Sequence, residues 1–431
     1  MALKVENGVI TSPGVTGNQT VTLVDTGFGT VKAVILCWSY QTAEADTGAD
    51  LIFGIGFGTY RSSTPQQWVA HNFSDDASGT SICAAGQTSA SIIRGLSEGA
   101  TPTLDFDAAL VSFGDASFVI NWTDLPTTAS IKINYLVLGG SDITDALVST
   151  VDVTTGTGTQ DITVVAGFGK PDLIFQTMCK GNVLETDEAV QGPSMLGIGK
   201  SDTEQGVSCF IDEDARPTME LASFQESDFI GFLGNDTTLS LNAVLTARAS
   251  WPTDGFQIDK LANSFGASAR CGFLALRGSF TSVIGSNTVP ITGTPPVTQD
   301  LAVGQTPRGA IFFHNVLPTT AGLDNTHADL GLFGLGFMDG THESWEGVGD
   351  DDGAASAITH RHHSESKVIK MFTPAAAGTL TSEADGAFSG TNVRLSWNDI
   401  DTVEREYRYL LLGDGAAAAT RVSRLLSTGV G

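Results

Sequence analysis

Along this chain, short stretches in which apolar and polar residues alternate are followed by stretches with no alternation, and the two kinds recur in a fixed order. Gln19-Thr20-Val21-Thr22-Leu23-Val24, Gln160-Asp161-Ile162-Thr163-Val164-Val165 and Gln299-Asp300-Leu301-Ala302-Val303 alternate with period two. That pattern predicts a strand with one face buried. Each is followed by a turn and a continuous apolar run: Ala33-Val34-Ile35-Leu36 beyond Gly27-Phe28-Gly29, Leu173-Ile174-Phe175 beyond Gly167 to Pro171, and Ala310-Ile311-Phe312-Phe313 beyond Gly304 to Pro307. A run without alternation predicts a strand covered on both faces or ending inside a core.

Three further landmarks repeat. Phe53-Gly54-Ile55-Gly56-Phe57, Leu196-Gly197-Ile198-Gly199 and Phe333-Gly334-Leu335-Gly336-Phe337 place glycines on one face and large residues on the other, so the bare face leaves room for close packing. Alternating segments beginning at Phe118, Phe256 and Val393 precede aliphatic closing strands at Tyr135 to Leu138, Phe273 to Leu276 and Tyr409 to Leu412. Each such pair predicts a hairpin or neighbouring strands, with Phe118, Phe256 and Val393 inward. The variable polar stretch before them reads as loops and short strands. A period near 137 residues is a whole domain rather than a solenoid unit.

The expectation is therefore an all-β chain of three tandem homologous β-sandwich domains of jelly-roll type, arranged about a pseudo-threefold axis. Boundaries fall at 1–142, 143–281 and 282–415, with a tail at 416–431 that reads either as a frayed terminus or, from Arg421, Arg424, Leu425 and Leu426, as a segment that docks against an acidic neighbour.

Composition agrees. The chain of 431 residues has 50 glycines, 16% charged and 41% hydrophobic residues, enough to build cores and too apolar for general disorder. A net charge of −26, spread over all three copies, repels phosphate backbones and anionic lipid, so no nucleic acid partner is expected. No apolar stretch reaches the roughly 20 residues of a membrane-spanning helix, so no membrane insertion is expected. The N-terminus lacks a signal-peptide pattern, which predicts synthesis in a cytoplasm. Five cysteines without a C-x-x-C pair read as reduced thiols; Cys271, in the place of Ile133 and Tyr407, reads as a filler of apolar space.

Candidate chemistry is sparse. Six of seven histidines lie in the third copy, and His360, His362 and His363 beside Asp350-Asp351-Asp352 could ligate a divalent metal or charge below pH 6.5. Metal-ligand spacing is absent, and a solvated loop is the competing reading. Asp350-Asp351-Asp352-Gly353 lacks the alternating ligands of a calcium loop. Trp38, Trp68, Trp251 and Trp345 fall in or near predicted loops, so Trp68 and Trp345 are the candidate platforms for a glycan or a partner; Trp122 and Trp397 read as core. Acidic pairs such as Asp105 with Asp107, or Glu213 with Asp214, nominate no catalytic dyad. No cofactor is expected.

Gly27-Phe28 leading to Ala33-Val34-Ile35-Leu36, and Tyr135-Leu136-Val137-Leu138-Gly139-Gly140-Ser141-Asp142-Ile143-Thr144, resemble repeats in virion proteins of tailed bacteriophages. The first copy lacks the family's proline, with Val31 near its place, and the third has Gly304-Gln305 for the Gly-Phe. The resemblance implies a non-enzymatic structural protein, a capsid decoration or tail component, assembled in the host bacterial cytoplasm with other virion proteins and copies of itself. The alternative is a host-recognition or glycan-binding module on the virion.

Overall fold

The computed structural model describes residues 2–76, 79–99, 101–127, 130–178, 187–188, 194–201, 203–212, 221–227, 230–234, 241–247, 252–263, 269–315, 331–350, 359–373 and 378–416. Every regular element among them is a β-strand, and no helix is long and apolar enough to cross a membrane.

In the first lobe, β1 (Leu3–Thr11), β3 (Val31–Trp38), β5 (Leu51–Arg61), β6 (Thr64–Ser74), β7 (Cys83–Thr88) and β11 (Lys132–Gly140) form a large antiparallel sheet in the order β1-β11-β3-β5-β6-β7. Facing it is a small sheet, β2-β10-β9-β8, made of β2 (Gly17–Thr22), β8 (Ile93–Leu96), β9 (Leu104–Gly114) and β10 (Ser117–Asp124). The strand between β3 and β5, β4 (Ala45–Gly48), belongs to neither.

The same order recurs twice. β12 (Ile143–Val153), β22 (Ala269–Gly278), β14 (Leu173–Thr177), β16 (Ser194–Gly199), β17 (Gln205–Asp212) and β18 (Leu221–Glu226) are the second large sheet, in that order. Its small sheet is β13 (Gly158–Thr163), β21 (Gly255–Asn263), β20 (Leu241–Ala247) and β19 (Gly231–Gly234), and β15 (Asp187–Glu188) stands apart. In the third lobe the large sheet runs β23 (Thr281–Thr288), β32 (Glu406–Gly413), β25 (Pro307–His314), β26 (Gly331–Met338), β27 (Glu343–Asp350), β28 (His360–Ser364). Its small sheet runs β24 (Val297–Ala302), β31 (Asn392–Asp399), β30 (Leu380–Ser389), β29 (Ile369–Phe372).

Each sandwich has its own interior, and the three large sheets share a further one. On β3, Val34, Leu36 and Trp38 face the small sheet, whereas Ala33, Ile35 and Cys37 face a cluster that also holds Phe175, Leu196 and Leu274 of the second lobe and Phe313, Phe333 and Leu410 of the third. Phe53 meets Phe333 edge-on at 5.3 Å between ring centres, and Phe57 meets Phe175 at 6.4 Å. Burial on both faces is why the inner strands read as unbroken apolar runs.

The glycines of the second inner strand serve the other face. A Cβ at Gly56, Gly197 or Gly336 would overlap the carbonyl oxygen of Ile92, Ile230 or Val368, where the chain enters the small sheet. These three are the equivalent positions, so Gly197 matches Gly56 rather than Gly54. Another recurrent residue has a role too. The Gln19, Gln160 and Gln299 amides donate to the Thr11, Asp152 and Thr288 carbonyls at 3.0, 2.8 and 2.8 Å. Trp122 and Trp397 donate to the first and third of these Gln side chains, each at 2.8 Å.

Two expectations are corrected. β10 and β11 are not paired, because the half-buried alternating strand belongs to the outer sheet and the doubly buried one to the inner sheet; they meet across the sandwich, Phe118 against Tyr135 at 5.7 Å. The polar stretch before them is mostly strand, β6 to β9, whose His71, Asn72 and Gln87 are buried. Polar strand residues disguised it as loop. Residues 417–431 lie outside the described residues.

The lobes meet in one cyclic sense. β4 of the first lobe adds to β28 of the third, and β15 of the second adds to β7 of the first; Asn315 N of the third donates to Gln225 Oε1 of the second at 3.0 Å. First strands follow the same sense. Asn7 N donates to Asp339 Oδ2 at 2.9 Å, Val148 N to Thr59 Oγ1 at 3.0 Å, and Lys200 Nζ to the Ser282 carbonyl at 2.7 Å. Sheet edges that would otherwise be open are thereby covered.

The seams are not interchangeable. Trp68 of the first lobe lies flush on Gly272 of the second, while at the matching place Arg408 of the third lies 3.3 Å from where a Gly206 Cβ would stand. Each bulky residue faces a glycine. Gly272→Ala should therefore destabilise the chain by about 1–3 kcal/mol, the usual penalty of overpacking, and by less than half that in a Trp68→Leu background. A double-mutant cycle from denaturant unfolding checks this; additive costs would contradict it.

Candidate functional site

The histidine cluster is built on β28, which lies between β27 and β4. Its side chains therefore point alternately into the third sandwich and into the seam with the first lobe. His360, His362 and His363 are 3%, 0% and 0% exposed, so the solvated-loop reading is overturned. Strand pairing on both sides leaves no room for solvent.

His360 and His362 face the sandwich. His360 Nδ1 lies 2.7 Å from His362 Nε2, and His362 stacks on Phe372 at 3.8 Å. Trp345 Nε1 donates to His314 Nε2 at 3.2 Å, with the two rings stacked. Burial lowers the pKa of His314 to about 3 and that of His360 to about 4, and burial also pushes His362 well down. These imidazoles are neutral, hydrogen-bonded core groups, and they do not charge just below pH 6.5.

His363 faces the seam. Its Nδ1 is 2.7 Å from Glu346 Oε1, and its Nε2 is 3.4 Å from Glu365, which Lys132 of the first lobe reaches at 3.1 Å. The other Glu346 oxygen takes a short hydrogen bond from Ser39 Oγ, which also lies 2.7 Å from the His362 carbonyl. Burial raises the Glu346 pKa, against the pull of His363 and Ser39. For His363, burial acts downward but the Glu346 carboxylate raises it.

Serine, histidine and glutamate thus meet, yet the order is wrong for a relay. Hydroxyl and imidazole both address the carboxylate, so the imidazole is not placed to take the serine proton. All three are fully buried. The group joins two lobes. Around it, Arg361 pairs with Glu98 at 2.6 Å and sits 5.2 Å from the Tyr40 ring centre, and Ser364 donates to Glu44 at 2.8 Å.

A matching polar lock holds β15 on β7. Asp187 reaches Arg94 at 2.8 Å and lies 3.2 Å from buried His71. Its partial burial acts upward, but His71 and Arg94 hold its carboxyl well below the usual range. Neither Ser39, Glu346 nor Asp187 stood out in the sequence. The signal for Glu346 was a charge in the middle of a glycine- and apolar-containing strand, between Trp345 and Gly347.

The tryptophan platforms are corrected as well. Trp68 on β6 and Trp345 on β27 are each 0% exposed, the first in the shared core and the second in the third sandwich. They are not available to a glycan or a partner in this fold. Trp38 is buried too, while Trp122 and Trp397 are core as expected; Trp251 and His327 lie outside the described residues, as do Asp351 to Gly353, Glu213 and Asp214. His342 is exposed on a turn beside Asp339, apart from the cluster. Asp105 accepts from Tyr40 and Thr127, and Asp107 from Ser91 and Arg94, so this pair is used in packing.

Among the described residues no group of three or more His, Cys, Asp and Glu side chains is arranged to hold a metal ion. Cys37, Cys83, Cys209 and Cys271 are buried, and burial raises the Cys271 thiol pKa. No family model, curated protein or solved structure matches this chain.

The buried neutral histidines give a pH prediction. An unfolded histidine takes up a proton below about pH 6.5 while the folded one does not, so stability falls with falling pH from there to the folded pKa. His314→Gln should reduce the slope of stability against pH between 6 and 4 by about 1.4 kcal/mol per unit. Denaturant titrations at several pH values measure it, and an unchanged slope would contradict it.

Proposed function

We propose that this chain is a non-enzymatic structural protein of a tailed-phage particle, a capsid decoration or tail component that works through its outer surfaces. One observation carries the proposal: a single polypeptide closes three similar sandwiches around one shared apolar interior. Such a body supplies three similarly built faces without assembling a trimer, which suits it to a place of threefold geometry in a larger assembly. The Ser39, Glu346 and His363 group and the Asp187 and Arg94 pair support the same reading, since they lie at seams between lobes and spend their hydrogen bonds there.

The resemblance of Gly27-Phe28 and of Tyr135 to Thr144 to phage virion repeats supplies the particle. Its partners are other virion proteins and copies of itself, met in the host cytoplasm. The glycan-binding alternative rested on Trp68 and Trp345, and it loses its contact residues. Immunogold labelling of purified particles with an antibody to this chain tests the proposal. Label at one regular position on the particle is expected; particles that lack the chain would overturn it.

A further inference from the structure

Beyond this role, the repetition of the lobes singles out one ionisable group. Two residues past Gly56, Gly197 and Gly336, strand pairing sets Gly58 opposite Gln67, Gly199 opposite Gln205 and Met338 opposite Glu343. Two lobes thus carry a neutral amide at this place, and the third carries a carboxyl of the same shape. In the first lobe the amide uses both of its ends. Leu110 N donates to Gln67 Oε1 at 2.6 Å, and Gln67 Nε2 donates to the Ala90 carbonyl in a short hydrogen bond. Gln67 so ties the large sheet to β9 and to the connection that enters the small sheet.

Glu343 keeps the accepting half of this arrangement. Gly386 N, placed on β30 as Leu110 is on β9, donates to the Glu343 carboxyl. Among the described residues, Glu343 Oε2 is buried and receives no hydrogen bond. At that end Gln67 is a donor, and only a protonated carboxyl can donate there. The neighbouring charges do not settle a carboxylate. Lys367, on the connection before β29, is held by Asp385 at 2.5 Å and Glu383 at 3.5 Å of β30, Lys370 of β29 lies 4.0 Å from Glu383, and His342 on the adjoining turn lies 3.4 Å from Asp339. Burial raises the Glu343 pKa from 4.5 to about 7, against the pull of the Gly386 amide; Asp385 adds to the rise and Lys367 opposes it.

We propose that Glu343 is a proton switch of the third sandwich. As the neutral acid it ties β27 to the small sheet, its O–H directed to the Ser366 carbonyl, which precedes Val368 as Ala90 precedes Ile92; as the carboxylate it releases that carbonyl. The folded chain keeps this proton up to about pH 7, whereas an unfolded glutamate loses it near 4.5. The folded state therefore binds more protons between those values, and stability falls as pH rises through them.

Denaturant unfolding of the full chain and of Glu343→Gln, from about pH 4 to pH 8, tests this. The histidines are common to both, so their titration cancels in the ratio of the two unfolding constants. That ratio, unchanged chain over variant, should be flat below pH 4.5, climb by up to about tenfold per unit, and end about a hundredfold higher at pH 8. A Gln67→Glu chain, which moves the acid to the first lobe, should likewise lose stability against the unchanged chain as pH rises. Difference infrared spectra at pH 6 should show one protonated carboxyl that Glu343→Gln removes. A ratio that stays constant from pH 4 to pH 8 would overturn the proposal, as would a Gln67→Glu chain as stable as the unchanged one at pH 8.

Discussion

Three large sheets here have only one another to cover their second faces, and the rest of the structure follows from that constraint. A sheet buried on one side by its own sandwich partner still presents Ala33, Ile35 and Cys37, or their counterparts, on the other. Left in water those faces would be a continuous apolar surface, unsuited to a free lobe. Closing three of them on a common centre removes the surface at once, and it makes each lobe's stability depend on the other two.

The same closure decides what happens to polar groups. Where sheets converge, strand edges and strand-end side chains are drawn out of solvent, and each must find a partner there. Ser39, Glu346 and His363 do so across one seam, Asp187 with Arg94 across another, and Asn315 with Gln225 across the third. Because these contacts differ from seam to seam, and because Trp68 needs the glycine opposite it while Arg408 faces another, the order of the lobes around the centre is specified by the side chains as well as by the linkers.

Much of the fold was legible because period-two alternation and its absence report directly on one-sided and two-sided burial. The unbroken runs at Val34 and Ile311 announced an inner sheet, and the glycine spacing announced a close approach. What escaped was whatever depends on contact between distant parts of the chain. β28 is rich in His and Arg and resembles a loop until its neighbour β4 arrives from more than three hundred residues away. Trp68 resembles a surface anchor for the same reason: its burial is completed by Gly272, which local sequence does not reveal. Histidine clustering was visible, but not its meaning: neutral imidazoles inside the third sandwich and, at the seam, His363 on Glu346.

If the shared interior governs stability, the three lobes should melt as one body. Scanning calorimetry of the intact chain tests this most directly. The account predicts one transition whose calorimetric enthalpy equals the van't Hoff enthalpy; separate transitions for individual lobes, or a van't Hoff enthalpy near a third of the calorimetric one, would contradict it.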